Sequence, residues 1–358
     1  MISLNDFDYH LPPESIAQSP AVPRDSSKLM VVDRVSGELE HHTFSDLDSI
    51  LRYNDVLVRN NTKVMPARLF GKKSTGGFVE VLLIKEVGVS ERSISWEVLS
   101  KPGLKVGQSI LFGEMEAVCT RISGYARVVE FQVSREEFFV LLDQLGKTPI
   151  PPYIGWNTDD EQTLREVYQT TYAKHLGSSA APTAGLHFTK ALDERLIAKG
   201  VEILEVTLHV GLGTFLPVKT DDVEEHHMHS EEFELTKEVA EKLTKFKKEG
   251  RRIISVGTTT TRVLESTFDA QKQQFIAQSG STDIYIYPPY KFQAIDGIIT
   301  NFHLPKSTLL MLISAFVSEP NTSHQFLDFQ SSVVGKAYKE AIEKKYRFYS
   351  FGDGMLII

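Results

Sequence analysis

IISVGTTTTRVLE, residues 253–265, joins an apolar run to a helical one with one glycine between them. Ile253–Val256 is short and β-branched, as a buried strand would be, and the segment after Gly257 carries a helical pattern. A strand that feeds directly into a helix is the unit of α/β folds. Working outward, Thr236 opens a helix with Val239, Leu243 and Phe246 on one face, stopped by Gly250. Before it, Thr189 caps a helix to Lys199, ended by Gly200 and followed by a strand over 201–210. After it come strands over 284–287 and 295–299, and an apolar helix from Ser307 to Val317. A long helix over 329–345 and a strand over 355–358 complete this half. The N-terminal part reads as a hairpin over 28–42, a short helix boxed by Ser45 and Asp48, and a strand over 55–58. This alternation predicts a mostly parallel sheet covered by helices.

The texture differs between Thr62 and Val133. Short β-type segments follow one another with turn residues between, among them Phe78–Ile84 and the alternating Ile94, Trp96 and Val98. Strands without helices predict a small barrel or sandwich inserted into the α/β part. Ser134 with Glu137 then starts a helix that Gly146 ends. PIPPYIGW (149–156) is a proline-rich connector, and Thr158 with Glu161 boxes the next helix.

Composition narrows the function. The chain has 358 residues, 41% hydrophobic and 24% charged, which is the balance of a globular protein large enough for two domains. No apolar run reaches the roughly 18 residues of a membrane span, and the first ten residues lack a secretory pattern, so cytoplasm is expected. The single cysteine, Cys119, leaves no disulfide framework or cysteine metal cluster. A net charge of −8 argues against indiscriminate nucleic-acid binding, although basic clusters occur at 245–252 and 344–347.

Four stretches carry candidate chemistry. YAKHLGSSAAPTAGLHFT (172–189) is small-residue-rich between His175 and His187. It reads either as a ligand loop feeding a helix or as a tight interhelical turn, with Pro182 breaking any helix at Ala181. HVGLGTFLPV (209–218) places a histidine, Gly211, Gly213 and Thr214 just after a strand, where a β-bulge is the plainer reading. GTTTTRVLE (257–265) offers backbone N–H groups, Thr258, Thr259 and Arg262 to an anion, or is a threonine-rich cap with Arg262 paired to Glu265. TNFHLPKS (300–307) brings Asn301 and His303, the latter as a ligand or a satisfied structural histidine. His226, His227 and His229 stand among acidic residues, but their spacing fits no standard zinc pattern, and no metal is expected. No Walker loop, nucleophile elbow or GxGxxG is present.

Together these stretches resemble one family, the S-adenosylmethionine:tRNA ribosyltransferase-isomerases of queuosine synthesis. The resemblance spans the chain, from FDYHLPPESIAQSP (7–20) and RDSSKLMVVDR (24–34) through LVRNNTKVMPARLFGKK (57–73), the 172–189 stretch, HVGLGTFLPV, MHSE (228–231) and GTTTTRVLE. It ends with IYIYPPYKFQAIDGIITNFHLPKSTLLMLISAF (284–316) and YRFYSFGDGMLI (346–357). Pro289, Gly354, Asn61 and Lys63 stand where the family has glycine, alanine, aspartate and arginine. The resemblance implies a discontinuous three-layer α/β domain of residues 1–62 and 152–358, with an inserted β-barrel domain at 63–151 and a site at their junction. It implies transfer and isomerisation of the ribosyl part of S-adenosylmethionine onto 7-aminomethyl-7-deazaguanine in tRNA. The products are epoxyqueuosine-tRNA, adenine and methionine; S-adenosylmethionine is consumed, and no cofactor is expected.

Such a reaction needs a base to remove the C5′ proton beside the sulfonium and a donor for the departing adenine. His187 and His175 are the first candidates, with His209 and His303 in reserve. Thr183, Ala184 and Gly185 are expected to line the substrate, with Asn301 beside them. Arg262 is expected to hold the methionine carboxylate, and Tyr287, Tyr290 and Asp296 to surround the sulfonium. Expected partners are the tRNA carrying the deazaguanine base and S-adenosylmethionine, with no membrane and a monomeric state. A non-catalytic RNA-binding protein with an OB-like barrel and an S-adenosylmethionine-dependent methyltransferase are the competing readings.

Overall fold

The protein is described here by a computed structural model covering residues 2–155, 160–211 and 218–358. In chain order, β1 (Lys28–Val32), β2 (Leu39–Thr43), α1 (Leu47–Ile50), β3 (Val56–Asn60) and β4 (Thr62–Val64) come first. Then follow β5 (Arg68–Lys73), β6 (Phe78–Val89), β7 (Ile94–Lys101), β8 (Ser109–Phe112), β9 (Met115–Ser123), β10 (Ala126–Phe131) and α2 (Arg135–Leu145). The remainder is α3 (Glu161–Val167), β11 (His175–Ser178), α4 (Lys190–Ala198), β12 (Glu202–Leu208), β13 (Glu231–Leu235), α5 (Lys237–Lys248) and β14 (Ile253–Val256). It continues with α6 (Thr258–Thr267), β15 (Phe268–Asp269), β16 (Gln274–Phe275), β17 (Gln278–Thr282) and β18 (Gly297–Asn301). It closes with α7 (Thr308–Phe316), α8 (Val333–Glu343) and β19 (Gly354–Ile357).

Among the described residues the main sheet has nine strands in the order β17-β13-β12-β3-β14-β18-β19-β1-β2. Its centre, β12-β3-β14-β18, is parallel, and β19 pairs parallel with β1. The β18-β19, β1-β2, β12-β13 and β13-β17 pairs are antiparallel. The sheet is therefore mixed rather than mostly parallel, because the C-terminal strand inserts beside the N-terminal one, the β1–β2 hairpin closes one edge, and the antiparallel strands β13 and β17 close the other. Alternation along each strand sends side chains to opposite faces. Ile298 of β18 joins the core under α5 to α8, while Ile299 joins the core under α1 and α4. This is the three-layer arrangement.

Strands β5 to β10 close into a six-stranded barrel filled by Leu69, Val81, Trp96, Phe112 and Phe131, and α2 plugs it through Phe138. Gly71 is required inside: a Cβ there would sit 2.7 Å from the Phe112 ring. Ser134 caps α2 as expected, its Oγ accepting from Glu137 N–H at 3.2 Å.

Several local expectations shift. The first helix is boxed by Thr43 and Asp46, not Ser45 and Asp48, since a 3-10 turn at Phe44–Asp46 precedes α1. Thr158 lies outside the described residues; Asp160 caps α3, and Glu161 instead accepts from the Thr148 amide and hydroxyl, each at 2.7 Å. Residues 284–287 form no strand, the strand of that region being β17. The last helix spans only 333–343. No helix among the described residues is long and apolar enough to cross a membrane.

Candidate active site

In open α/β sheets ligands gather where parallel strands end at their carboxyl side. Here β12, β3, β14 and β18 end at Leu208, Asn60, Val256 and Asn301, and residues 172–189 lie across these ends. Short contacts fix that stretch to its surroundings. His175–Ser178 pairs with β4 as β11. Ser178 Oγ donates to Ala180 O and accepts from the Val210 amide, at 2.8 and 2.9 Å. Ser179 Oγ donates to Leu83 O of the barrel at 2.7 Å. The small-residue loop is thus the seam between the barrel and the main sheet. Two of its glycines are there for space. A Cβ on Gly185 would lie 2.0 Å from Tyr172 Oη, and one on Gly177 2.7 Å from the His209 ring.

His187, in a 3-10 turn at Thr183–His187, is buried. Its Nδ1 lies 2.8 Å from Ser27 Oγ and its Nε2 3.2 Å from Asn301 Nδ2, and its ring stacks on Phe44 at 4.7 Å. Asn301 Oδ1 accepts from Thr183 Oγ1 at 3.0 Å, completing a chain Ser27–His187–Asn301–Thr183. Burial, then the charges of Arg347 and Arg24, push the imidazole down to about 3, so it is neutral at physiological pH. The cavity beside it, bordered by Arg24, Leu186 and Ser350, measures about 10 Å³, the room of one water. The geometry makes His187 an orienting group for Asn301 rather than an open base.

The other candidates separate by place. His209, just past β12, is half-buried; Nδ1 lies 2.8 Å from Thr62 Oγ1, and Nε2 has no hydrogen-bond partner among the described residues. His175 is exposed. His303 belongs to the opposite face of β18: its Nε2 meets Thr300 Oγ1 at 2.8 Å, its amide donates to Tyr338 Oη, and Tyr9 Oη donates to its carbonyl. Burial draws its pKa down to about 3. Alternation puts Thr300 and Asn301 on opposite faces, so His303 and His187 are divided by the sheet.

At the end of β14, Gly257 has φ +88° and lies close to Ala184, a Cβ on it coming within 3.7 Å of Ala184 Cβ. Helix α6 starts there, and the amides of Thr258 and Thr259 in its first turn have no intrahelical carbonyl to reach. Asn60 Nδ2 approaches Thr259 Oγ1 at 3.5 Å. Gly211 donates its amide to Glu231 Oε1 at 3.0 Å; Gly213 and Thr214 lie outside the described residues.

Two of the expected site residues are engaged with other parts of the protein. Arg262, the expected anion receptor, is buried against Glu231, with further bonds to the carbonyls of Ile284 and Thr282, so its guanidinium ties parts of the protein together. Glu265, its alternative partner, instead accepts from the amides of Gln293 and Ala294 and from Tyr290 Oη. Asp296 precedes β18, at the opposite end of the parallel strands from Asn301; it accepts from the Ile253 amide at 2.9 Å and pairs with Lys247 at 3.2 Å. It ties strands and does not face the strand ends described above. Tyr287 packs tilted against Tyr285, ring centroids 4.7 Å apart, in the α5–α8 layer. His226 packs edge-on against Tyr285, and among the described residues no group of three or more metal-ligating side chains is present.

Nearly the whole chain, residues 4–357, matches the family model of queuosine biosynthesis proteins. This chain belongs to that family. Among solved structures, a crystal structure at 2.00 Å titled as the S-adenosylmethionine tRNA ribosyltransferase of Thermotoga maritima is similar to it. The two are 35% identical, the match covers 99% of this chain and 100% of that one, and the TM-score is 0.53. In this queuosine-family chain, sequence reading missed Ser27, Asn60, Thr62, Gly177 and Glu231 as site or support residues. The signal for Asn60 and Thr62 was present: NNT interrupts an apolar strand at its end, where a polar side chain must have a partner.

Proposed function

We propose that this protein transfers and isomerises the ribosyl moiety of S-adenosylmethionine onto 7-aminomethyl-7-deazaguanine at the tRNA wobble position. The products are epoxyqueuosine-tRNA, adenine and L-methionine. The observation that carries this is the end-to-end match to a ribosyltransferase of the queuosine family. The site geometry supports it. Polar groups at the ends of four adjacent strands, from His209 through Asn60 and Thr258 to Asn301, form a row about 14 Å long at about 4.8 Å per strand step. A nucleoside with a methionine arm has that reach.

In this reading the sulfonium acidifies the ribose C5′–H, a base removes that proton, and the resulting ylide rearranges as adenine leaves. The aminomethyl nitrogen of the tRNA base then attacks, and methionine departs as the epoxide closes. The first-turn amides of α6 take the methionine carboxylate, the role first given to Arg262. Asn301, held by His187 and Thr183, presents its amide to the nucleoside. S-adenosylmethionine is consumed as a substrate, and no cofactor is called upon. Incubation with S-adenosylmethionine and tRNA bearing the deazaguanine base should yield adenine and methionine in equal amounts by mass spectrometry. S-adenosylhomocysteine would mark a methyltransferase, and binding without turnover an RNA-binding protein.

A further inference from the structure

We propose that His209 is the base that takes the C5′ proton and that Thr62 and Gly177 are the residues that aim it. The inference rests on the ribosyltransferase reading and adds which imidazole acts and what holds it. Of the four histidines at or near the strand ends, His187 has both nitrogens engaged and His303 lies across the sheet, bonded to Thr300. His175 is exposed, with no side-chain partner among the described residues. Among the described residues at the strand ends, His209 alone combines a fixed ring with a ring nitrogen that has no hydrogen-bond partner.

The ring is fixed on two sides. Thr62 is fully buried, and its hydroxyl meets Nδ1 at 2.8 Å. The ring also lies flat on Gly177: a Cβ there would come within 2.7, 2.8 and 2.9 Å of Cε1, Nδ1 and Nε2. A third tie is the His209 amide, which donates to Glu232 O at 2.9 Å. The parallel β11–β4 pairing that sets His175 opposite Thr62 also brings Gly177 under the ring. The titratable groups facing His209 are Glu232 and Glu234 of β13 and His175 of β11, with Glu232 itself paired to Lys85 of the barrel at 3.2 Å. Burial holds its pKa below the ordinary histidine value, which keeps it neutral and able to accept a proton near neutral pH.

The step balances simply. With Nδ1–H donating to Thr62 Oγ1, the lone pair of Nε2 takes the proton from C5′. The C5′–H bond breaks, an Nε2–H bond forms, and the electron pair stays on C5′ next to the sulfonium. The Nδ1–H bond to Thr62 persists in the imidazolium. Thr62 and Gly177 are positioning residues; His209 is the catalytic one.

Two measurements test this separately from the overall reaction. The first is single-turnover adenine release across a pH series, with thermal melts to confirm folding. His209→Asn should lower the rate about 100-fold or more. Thr62→Val should lower kcat about tenfold with KM within about twofold and shift the acidic limb, whereas Thr62→Ser should restore the wild-type profile. Gly177→Ala should behave like Thr62→Val. A His209→Asn or Thr62→Val rate equal to wild type overturns the assignment. The second needs no turnover: nitrogen NMR of His209 at neutral pH should show the Nδ1–H tautomer in wild type and its loss in Thr62→Val. An Nε2–H tautomer in wild type overturns it. A wild-type protein that releases no adenine would defeat the ribosyltransferase reading, and the NMR result would still decide whether Thr62 aims the ring.

Discussion

Single residues show where chemistry and packing compete for the same sequence. Arg262 looked like an anion receptor because it follows a helix N-terminus, and Glu265 was its evident neighbour one turn on. Its actual partner, Glu231, comes from β13, which no helical spacing reveals. Both side chains are almost fully buried, so removing one leaves an unpaired buried charge. Arg262→Ala should therefore cost about 3–5 kcal/mol in urea unfolding; a change below about 1 kcal/mol would refute the structural role. Gly185 gives a second case. Tyr172 Oη is buried without a hydrogen-bond partner among the described residues and fills the space where a Cβ would go. Gly185→Ala should destabilise by about 1–3 kcal/mol through overpacking. Tyr172→Phe should be near neutral, because no bond is lost. The double variant should recover most of the Gly185→Ala loss, and strict additivity of the two changes would contradict the contact. His187 predicts a pH effect. Its pKa is pushed from 6.5 to about 3 in the folded state, so between those values the unfolded chain binds a proton that the folded chain refuses. Stability should fall as the pH drops from about 6.5 towards 4, and the fall should be shallower in His187→Asn. Equal slopes would show that His187 is not the residue resisting protonation.

At the scale of elements, what was legible was what neighbours in sequence decide. The hairpin β1–β2, the barrel strands, the caps at Ser134, Thr189, Thr236 and Ser307, and the β14–α6 junction all follow from local patterns. Strand direction and order did not, because they depend on partners far along the chain. β19 pairs with β1 across most of the sequence, and β18 with β19 antiparallel. The same limit explains the site. The small-residue loop 172–189 was legible as unusual, but not that Gly177 makes room for His209 or that Ser179 reaches the barrel. Two of the four departures from the family pattern have a local setting. Asn61 donates to Glu205 Oε2 at 3.3 Å and accepts from Thr207 Oγ1 at 2.8 Å. Gly354 leaves room for Phe44, which a Cβ would approach to 3.0 Å. Thr189 does two jobs for α4: its Oγ accepts from the Leu192 amide at 3.2 Å and donates to Asp25 at 2.8 Å, tying the helix start to the N-terminal segment. Thr189→Ala should cost about 1 kcal/mol or somewhat more, measured by thermal or urea unfolding, while Thr189→Ser should be close to neutral.

For the whole molecule, the inserted barrel and the main sheet meet along one seam, and the site runs beside it. Ser179 bonds the barrel at Leu83, Ser178 bonds the segment after β12, and β11 lies on β4, which leads into the barrel. A substrate held across the strand ends from Asn301 to His209 therefore lies beside the barrel, where a large partner such as tRNA can present its base. The net charge of −8 leaves tRNA recognition to local groups, since many of the lysines and arginines at 245–252 are already paired: Lys245 with Glu249, Lys247 with Asp296, Arg252 with Asp55. The decisive measurement is the product analysis of purified protein with S-adenosylmethionine and tRNA carrying 7-aminomethyl-7-deazaguanine. Adenine and methionine should appear in equal amounts, each matching the tRNA modified, with no S-adenosylhomocysteine. S-adenosylhomocysteine, or no adenine at all from folded protein, would contradict the ribosyltransferase-isomerase account.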